Sequence, residues 1–410
     1  MQFQTLALSI KNMQKEFIIE FEYELKSIFD YWSTNTIDEK NGGFFGALDN
    51  ENTVIENAPK GAVLNARILW SFSAGYNFNQ DIHYLKLAER SFNYLKDHFI
   101  DPEMGGVYWS VDTFGNPLDT KKQIYALSFA IYGLAEYYHA SKNQEALDMA
   151  ISLFQDIEKH SYDTENGGYL EALTRDWQPI DDLRLSDKDA NEKKSMNTHL
   201  HILEGYTNLY RYWPDAHLKE KITDLLAIFN QHILNHSTKH LVLFFDEKWN
   251  SNYNIVSYGH DIEASWLMLE AAEVTGDDKL VHHFEQLAVE IAYASEEGID
   301  ADGAMIYELE VDKNHQIAER HWWVQAEAMV GFLNAYQLSK EGAFFTHFVS
   351  IWNFTKKHII DHENGEWFWG VHKDLSLMQG EDKAGFWKCP YHNSRACIEV
   401  IKRLKKIHST

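Results

Sequence analysis

Ile82, Leu85, Ala88, Phe92, Leu95 and Phe99 recur at helical spacing, while Lys86, Glu89, Arg90 and Lys96 fall on the opposite side. That stripe predicts an outer helix with one face in the core and one in water. Residues 66–76, 126–138, 262–272 and 324–336 follow another pattern and are apolar on nearly every side. A helix apolar all round is covered all round. Alternation of the two kinds gives about twelve helical segments, two per unit. Six outer and six inner helices predict an all-α (α/α)6 barrel with short hairpins in its loops; an open solenoid is the competing layout.

The turns between helices repeat too. Asp38 to Phe44, Asp101 to Val107 and Asp163 to Tyr169 are versions of one motif, 63 and 62 residues apart. Weaker relatives begin at Asp300 and Asp361, 61 residues apart. Asp and Asn open such turns by accepting bonds from the following backbone, and Gly accepts the positive φ that closes them. A fourth unit is expected between Asp163 and Asp300, with Lys239 to Trp249 in its place and the Gly-Gly pair lost. The aromatic runs after the turns (Phe44-Phe45, Tyr108-Trp109, Trp367-Phe368-Trp369) read as small strands.

Near the start of each inner stretch stands one polar or aromatic residue: Arg67, Tyr125, His201, His260, Trp323 and His392, separated by 58, 76, 59, 63 and 69 residues. Six such side chains, one per unit, would converge on one mouth of a closed ring.

The 410 residues are 45% hydrophobic, enough for a large core, and no Pro/Gly/Ser-rich linker divides them. Each unit needs its neighbours to cover its inner helix, so residues 1–410 read as a single catalytic domain. A net charge of −25 argues against nucleic acid or an anionic membrane as partner. No stretch is apolar and long enough to span a bilayer, and the N-terminus lacks a secretory pattern, so a cytoplasmic location is expected. The two cysteines, Cys389 and Cys397, share one short segment and do not suggest a disulfide framework. Aromatic residues make up 14% of the chain, with 13 Trp. They either fill the core or offer flat faces for sugar rings.

Asn197 and His201 lie four apart on one helical face, whereas His199 and His201 point about 200° apart and cannot meet at one ion. His260 and Glu263 share a face three residues apart. There a carboxylate would orient the imidazole, or Glu263 would reach back to cap the helix. Trp323 and Glu327 share a face four apart. Pro390 sits close to a helix start and places His392 in the first turn, beside Trp387. No His-Glu-x-x-His zinc pattern and no phosphate-binding glycine loop is present. Two chemistries remain: proton transfer by histidines near neutral pH, and glycoside hydrolysis with Glu263 and Glu327 as opposed carboxylates.

Four long segments carry a resemblance: 197–215 (NTHLHILEGYTNLYRYWPD), 258–273 (YGHDIEASWLMLEAAE), 322–337 (WWVQAEAMVGFLNAYQ) and 385–404 (GFWKCPYHNSRACIEVIKRL). Together with 65–74 around Arg67 and 121–138 around Tyr125, they resemble the cellobiose 2-epimerases, a group within the N-acylglucosamine 2-epimerase superfamily of (α/α)6 barrels. The resemblance runs from about residue 20 to 404. It implies C2 epimerisation of the reducing-end glucose or mannose of β-1,4-linked disaccharides, with no cofactor and no metal. It implies His201, His260 and His392 as catalytic residues, and Arg67, Tyr125, Asp189, Asn197, Glu263, Trp323, Glu327 and Trp387 as substrate-binding ones. In that reading His392 serves the ring oxygen and O1 during ring opening. His260 and His392 flank C2, one removing its proton and the other returning it after rotation about C2–C3. His201 and Arg67 bond O1 and O2, Trp323 and Trp387 stack on the rings, and Glu263 orients His260. Val324 stands where many relatives have Pro.

An aldose–ketose isomerase, an N-acylglucosamine 2-epimerase, an inverting glycosidase and a non-catalytic sugar binder are the alternatives. A monomer is the default expectation. A histidine pair of opposite charge states gives a bell-shaped pH–rate profile; one that stays flat from about pH 5 to 9 would argue against it.

Overall fold

Twelve α-helices alternate along residues 2–409, which the computed structural model describes. Six form an inner ring: α2 (Ala62–Asn79), α4 (Ile124–Ser141), α6 (Met196–Tyr210), α8 (Tyr258–Thr275), α10 (Trp322–Ser339) and α12 (Tyr391–Ser409). Six lie outside: α1 (Gln2–Asn35), α3 (Ile82–Tyr94), α5 (Gln144–His160), α7 (Ala216–Ile228), α9 (Asp278–Ser295) and α11 (Gly342–His358). Each inner helix packs on the next, α12 returns to α2, and α1 lies against α12. The ring is therefore closed, which decides for the (α/α)6 barrel over the open solenoid. No described helix is long and apolar enough to cross a membrane. Cys389 and Cys397 are both free and buried.

The all-apolar stretches are inner helices as expected; residues 62–75 of α2 are buried without a break. Close approach of neighbouring inner helices depends on glycine. A Cβ on Gly133 would stand 2.6 Å from Ala66 O, one on Gly205 2.7 Å from Ser128 O, and one on Gly331 2.7 Å from Ile262 O. Four inner helices end in a left-handed residue (Gln80, Lys142, Gly276, Lys340), and two residues later the outer helix begins. Asp81, Asn143, Asp215 and Asp277 cap outer helices by accepting a backbone N–H two residues on. The stripe on α3 departs from expectation at its start. Ile82 is 58% exposed, and Tyr84, Leu87 and Ser91 join Ala88 and Phe92 on the buried face. A π-helical turn, Leu95–Phe99, then carries both end residues into the core.

All six turns are present. Each is marked by an isolated bridge: Ile37 with Phe44, Ile100 with Val107, Tyr162 with Tyr169, Leu234 with Leu241, Ile299 with Met305 and Ile360 with Trp367. The fourth opens at Asn235, earlier than Lys239, because Asn235 takes the place of the turn Asp: its Oδ1 accepts from Ser237 N at 3.0 Å. Short strands entering the inner helices pair with strands of the following unit, as Lys60–Gly61 with Ser110–Val111, Lys122–Gln123 with Ala172–Leu173, and Lys194–Ser195 with Phe244–Phe245. Leu48 bridges Ala384 and joins the first unit to the last.

A buried cation fastens most of these turns. Lys60 Nζ donates to Asp38 at 2.9 Å, Lys122 to Asp101 at 2.9 Å, Lys194 to Asp163 at 2.8 Å and Arg320 to Asp300 at 2.7 Å. Lys383 does the same for Asp361. Each of the first four cations lies two residues before an inner helix. In the fourth unit Val256 holds that position and Asn235 replaces the Asp, so both charges are lost together. Lys60→Val alone, which strands the Asp38 charge, should lower stability by about 3–5 kcal/mol. The double variant Asp38→Asn/Lys60→Val copies the fourth unit and should recover about half of that loss or more in urea unfolding. Equal losses in single and double variants would show that the ion pair is not the fastening.

Candidate active site

The N-terminal ends of all six inner helices open onto one cavity of about 400 Å³. It is lined by Arg67 from α2, Tyr125 from α4, Asn197 and His201 from α6, His260 and Glu263 from α8, Trp323 from α10 and His392 from α12. Asp189 and Trp387 reach it from loops. Ten of the eleven residues expected from the sequence thus meet here. Glu327 does not line the cavity; it lies behind His392, where its Oε1 receives the His392 Nδ1 contact at 2.7 Å.

Each histidine is held by its Nδ1. His201 Nδ1 lies 2.8 Å from Glu204 Oε2, and His260 Nδ1 lies 2.8 Å from Ser257 Oγ. No Nε2 partner occurs for His201, His260 or His392 among the described residues. A carboxylate beside Nδ1 fixes the Nδ1–H tautomer and leaves Nε2 as the basic atom. The partner of His260 differs from expectation: Ser257, not Glu263, orients the ring. Among the described residues Glu263 makes no hydrogen bond to His260 and does not cap the helix; its Oε1 accepts from Arg395 Nη2 at 2.7 Å. His199 faces away, its Nε2 accepting from Tyr169 N at 2.9 Å and its Nδ1 donating to Ser195 O at 2.6 Å.

Beneath the histidines lies a buried charge cluster. Arg395 on α12 donates to Glu204 on α6, to Glu263 on α8 and, at 2.7 Å, to Glu327 on α10. Tyr391 OH also donates to Glu204. Burial works against ionisation of Glu204, but Arg395 and His201 hold it down to about 2. Burial and the neighbouring Glu327 charge push Glu263 well above the carboxylate range. Glu327 is also raised by burial, against the pull of Arg395. Burial depresses the imidazoles: His260 falls to about 3, and His201 falls despite its contact with Glu204. His392 falls through burial and the positive charges of Arg67 and Arg395. Desolvation outweighs the carboxylates beside His201 and His392.

Two rival chemistries meet this geometry. Carboxylate oxygens of Glu263 and Glu327 and a ring nitrogen of His392 all lie within 4.8 Å of one another. Both carboxylates are joined to one guanidinium nitrogen, so the positive charge between them is supplied by Arg395. A hydrolytic pair must flank the scissile bond from opposite sides with about 5–9.5 Å between carboxyls. Glu263 and Glu327 share one side, and only Glu263 faces the cavity, so the opposed-pair expectation fails.

The walls are aromatic and polar. Trp323 lies 4.7 Å from the His260 ring and 5.8 Å from that of His392, and Trp387 lies 6.0 Å from Tyr125. Arg67 Nη2 donates to Tyr125 OH at 2.7 Å and its guanidinium covers Phe129 at 4.1 Å. Arg67 Nε, Asn197 Oδ1, Trp322 Nε1 and Trp369 Nε1 are buried without a hydrogen-bond partner among the described residues. Tyr307, His321, Trp322 and Trp369 also line the cavity and escaped the sequence reading. Trp322 and His321 adjoin Trp323 in the segment that carried it, and Trp369 lies in an aromatic run assigned to a strand. A second cavity of about 450 Å³ adjoins, sharing Lys188, Asp189, Asn197, His260 and Tyr307.

An (α/α)6 barrel with histidines and tryptophans around a polar, aromatic cavity at its helix N-termini is the build of a carbohydrate-active helical-barrel enzyme. The chain matches the N-acylglucosamine 2-epimerase (GlcNAc 2-epimerase) family over residues 43–396, and it belongs to that family. It is 51% identical over 383 residues to a cellobiose 2-epimerase of Bacteroides fragilis, covering 93% of this chain and 98% of the relative. A cellobiose 2-epimerase of Ruminococcus albus is 40% identical over 388 residues, covering 94% of this chain and 98% of the relative. Among solved structures, a cellobiose 2-epimerase from Bacillus thermoamylovorans superposes with a TM-score of 0.90 at 41% identity, covering 95% of this chain and all of the other (100%).

Proposed function

We propose that this enzyme interconverts glucose and mannose at the reducing end of β-1,4-linked disaccharides by ring opening and a cis-enediolate, without a cofactor. One observation carries the reading: three histidines, each fastened at Nδ1, leave Nε2 free toward one tryptophan-walled cavity. Buried polar atoms without protein partners on Arg67, Asn197, Trp322 and Trp369 suit a ligand rich in hydroxyls. Relatives of high identity named for cellobiose epimerisation support the substrate class.

His392, backed by Glu327, takes the proton from O1 or C2, and the carboxylate stabilises the imidazolium that forms. His260 acts from the other side of C2. Its partner Ser257 can accept or donate, so this ring switches tautomer without losing its hydrogen bond. Once protonated, an imidazole as strongly desolvated as His260 is a strong acid and returns the proton readily. Arg67 donates to O1 and O2 as charge develops, and His201 Nε2 accepts from a sugar hydroxyl. Trp323 and Trp387 stack on the sugar faces.

In D2O, cellobiose or mannobiose should yield its C2 epimer with deuterium at C2, read by NMR; monosaccharides or unchanged disaccharide would overturn the reading. His260→Ala should lower kcat by about 10²-fold or more. His282→Ala, on an exposed outer-helix residue, is the control, and equal losses in the two variants would remove His260 from the mechanism. The pH dependence has a definite sign. The base must be neutral and burial lowers all three rings, so kcat/KM should fall with acid only below the ordinary histidine value of 6.5. An acid limb centred above 6.5 would contradict a buried imidazole base.

A further inference from the structure

Glu204, Glu263 and Glu327 converge on Arg395, and their surroundings can be taken element by element. Arg67 faces the group from α2, Tyr125 and Tyr132 from α4, and His201 from α6. His260 faces it from α8, and Tyr391 and His392 from α12; Cys389, in the loop before α12, faces Arg67. With neutral rings and phenols, three buried carboxylates confront two buried guanidiniums. One negative charge is left over, and an uncompensated buried charge is expensive. A proton removes it.

The three carboxyls are not equally able to stay ionised. Glu204 is in contact with His201 Nδ1, Tyr391 and Arg395. Glu327 is in contact with His392 Nδ1, Arg395 and, at 3.3 Å, Trp266 Nε1. Glu263 accepts from Arg395 alone, through Oε1; its Oε2 has no partner among the described residues, and the side chain lines the cavity. The carboxyl with fewest donors is the poorest host for the charge.

We propose that Glu263 is a neutral carboxylic acid in the resting enzyme, and that its O–H donates a hydrogen bond to the enediolate oxygen formed in the cavity. The directions of the shifts agree, with burial and the Glu327 charge both raising Glu263. A carboxylic acid kept neutral by its site can serve as an oxyanion donor at neutral pH. The protonation stands independently; the donor role rests on the enediolate reading above.

The two parts are tested separately. On the ligand-free enzyme, the infrared difference between wild type and Glu263→Gln should contain the carbonyl band of a protonated carboxylic acid, shifted in D2O. Its absence overturns the protonation. In kinetics, glutamine keeps a neutral N–H donor, so Glu263→Gln should lose less than about tenfold in kcat, whereas Glu263→Ala should lose about 10²–10³-fold. Ionisation of Glu263 switches the donor off, so wild-type kcat should fall as pH rises through its raised pKa, and Glu263→Gln should lack that alkaline limb. Retention of the limb, or a glutamine loss equal to that of alanine, would place the proton on a histidine or on Glu327 and end the proposal. An infrared band from an enzyme that forms no epimer would instead end the enediolate reading and leave the protonation standing.

Discussion

One guanidinium governs how the inner ring can close around the site. Arg395 ties α12 to α6, α8 and α10 through three buried carboxyl groups crowded into one place. Two of those carboxylates hold the imidazoles of His201 and His392 from below. The geometry of the proton carriers is thus set one layer beneath the cavity. The aromatic shell around Arg395, with Tyr391 at 4.2 Å and Trp266 at 4.8 Å, fixes the guanidinium in turn.

The helical barrel adds a field of its own. Each inner helix directs its N-terminal end to the cavity, and such an end carries about half a positive charge. Six of them around one space favour anions and disfavour imidazolium, in the same sense as burial. An enediolate is an anion, so the architecture stabilises the charge that the proposed chemistry would create.

Much of this was legible in the sequence because both periodicities survive in it. The turn Asp residues and the all-apolar stretches gave the number and kind of helices, since a repeat must preserve the contacts with its neighbours. The residues near the helix starts were legible for the same reason: Arg67, Tyr125, His201, His260, Trp323 and His392 all stand within the first six residues of an inner helix. What could not be read was partnership across units. Spacing suggested that Glu263 serves His260, yet Arg395 lies far along the chain and competes successfully for that carboxylate. Glu327 shares a helical face with Trp323 but sits a turn deeper, so it supports His392 instead of meeting the cavity. Glu204, three residues after His201, carried a usable signal of helical pairing. Tyr307 and Asp189 depend on loop paths that no periodicity encodes. In the fourth turn the signal was faint because Asn235 and Val256 had replaced the charged pair jointly.

The position of Arg395 on the last helix has a consequence for biosynthesis. As the chain leaves the ribosome, α6, α8 and α10 emerge with their three carboxyl groups before the cation that joins them. The nascent barrel is then open between α10 and α2, and its polar floor is unbalanced. Docking of α12 delivers, in one step, the closing wall, His392 and the missing positive charge. A chain arrested before that helix lacks His392 and the guanidinium that joins the other three helices at the floor of the site.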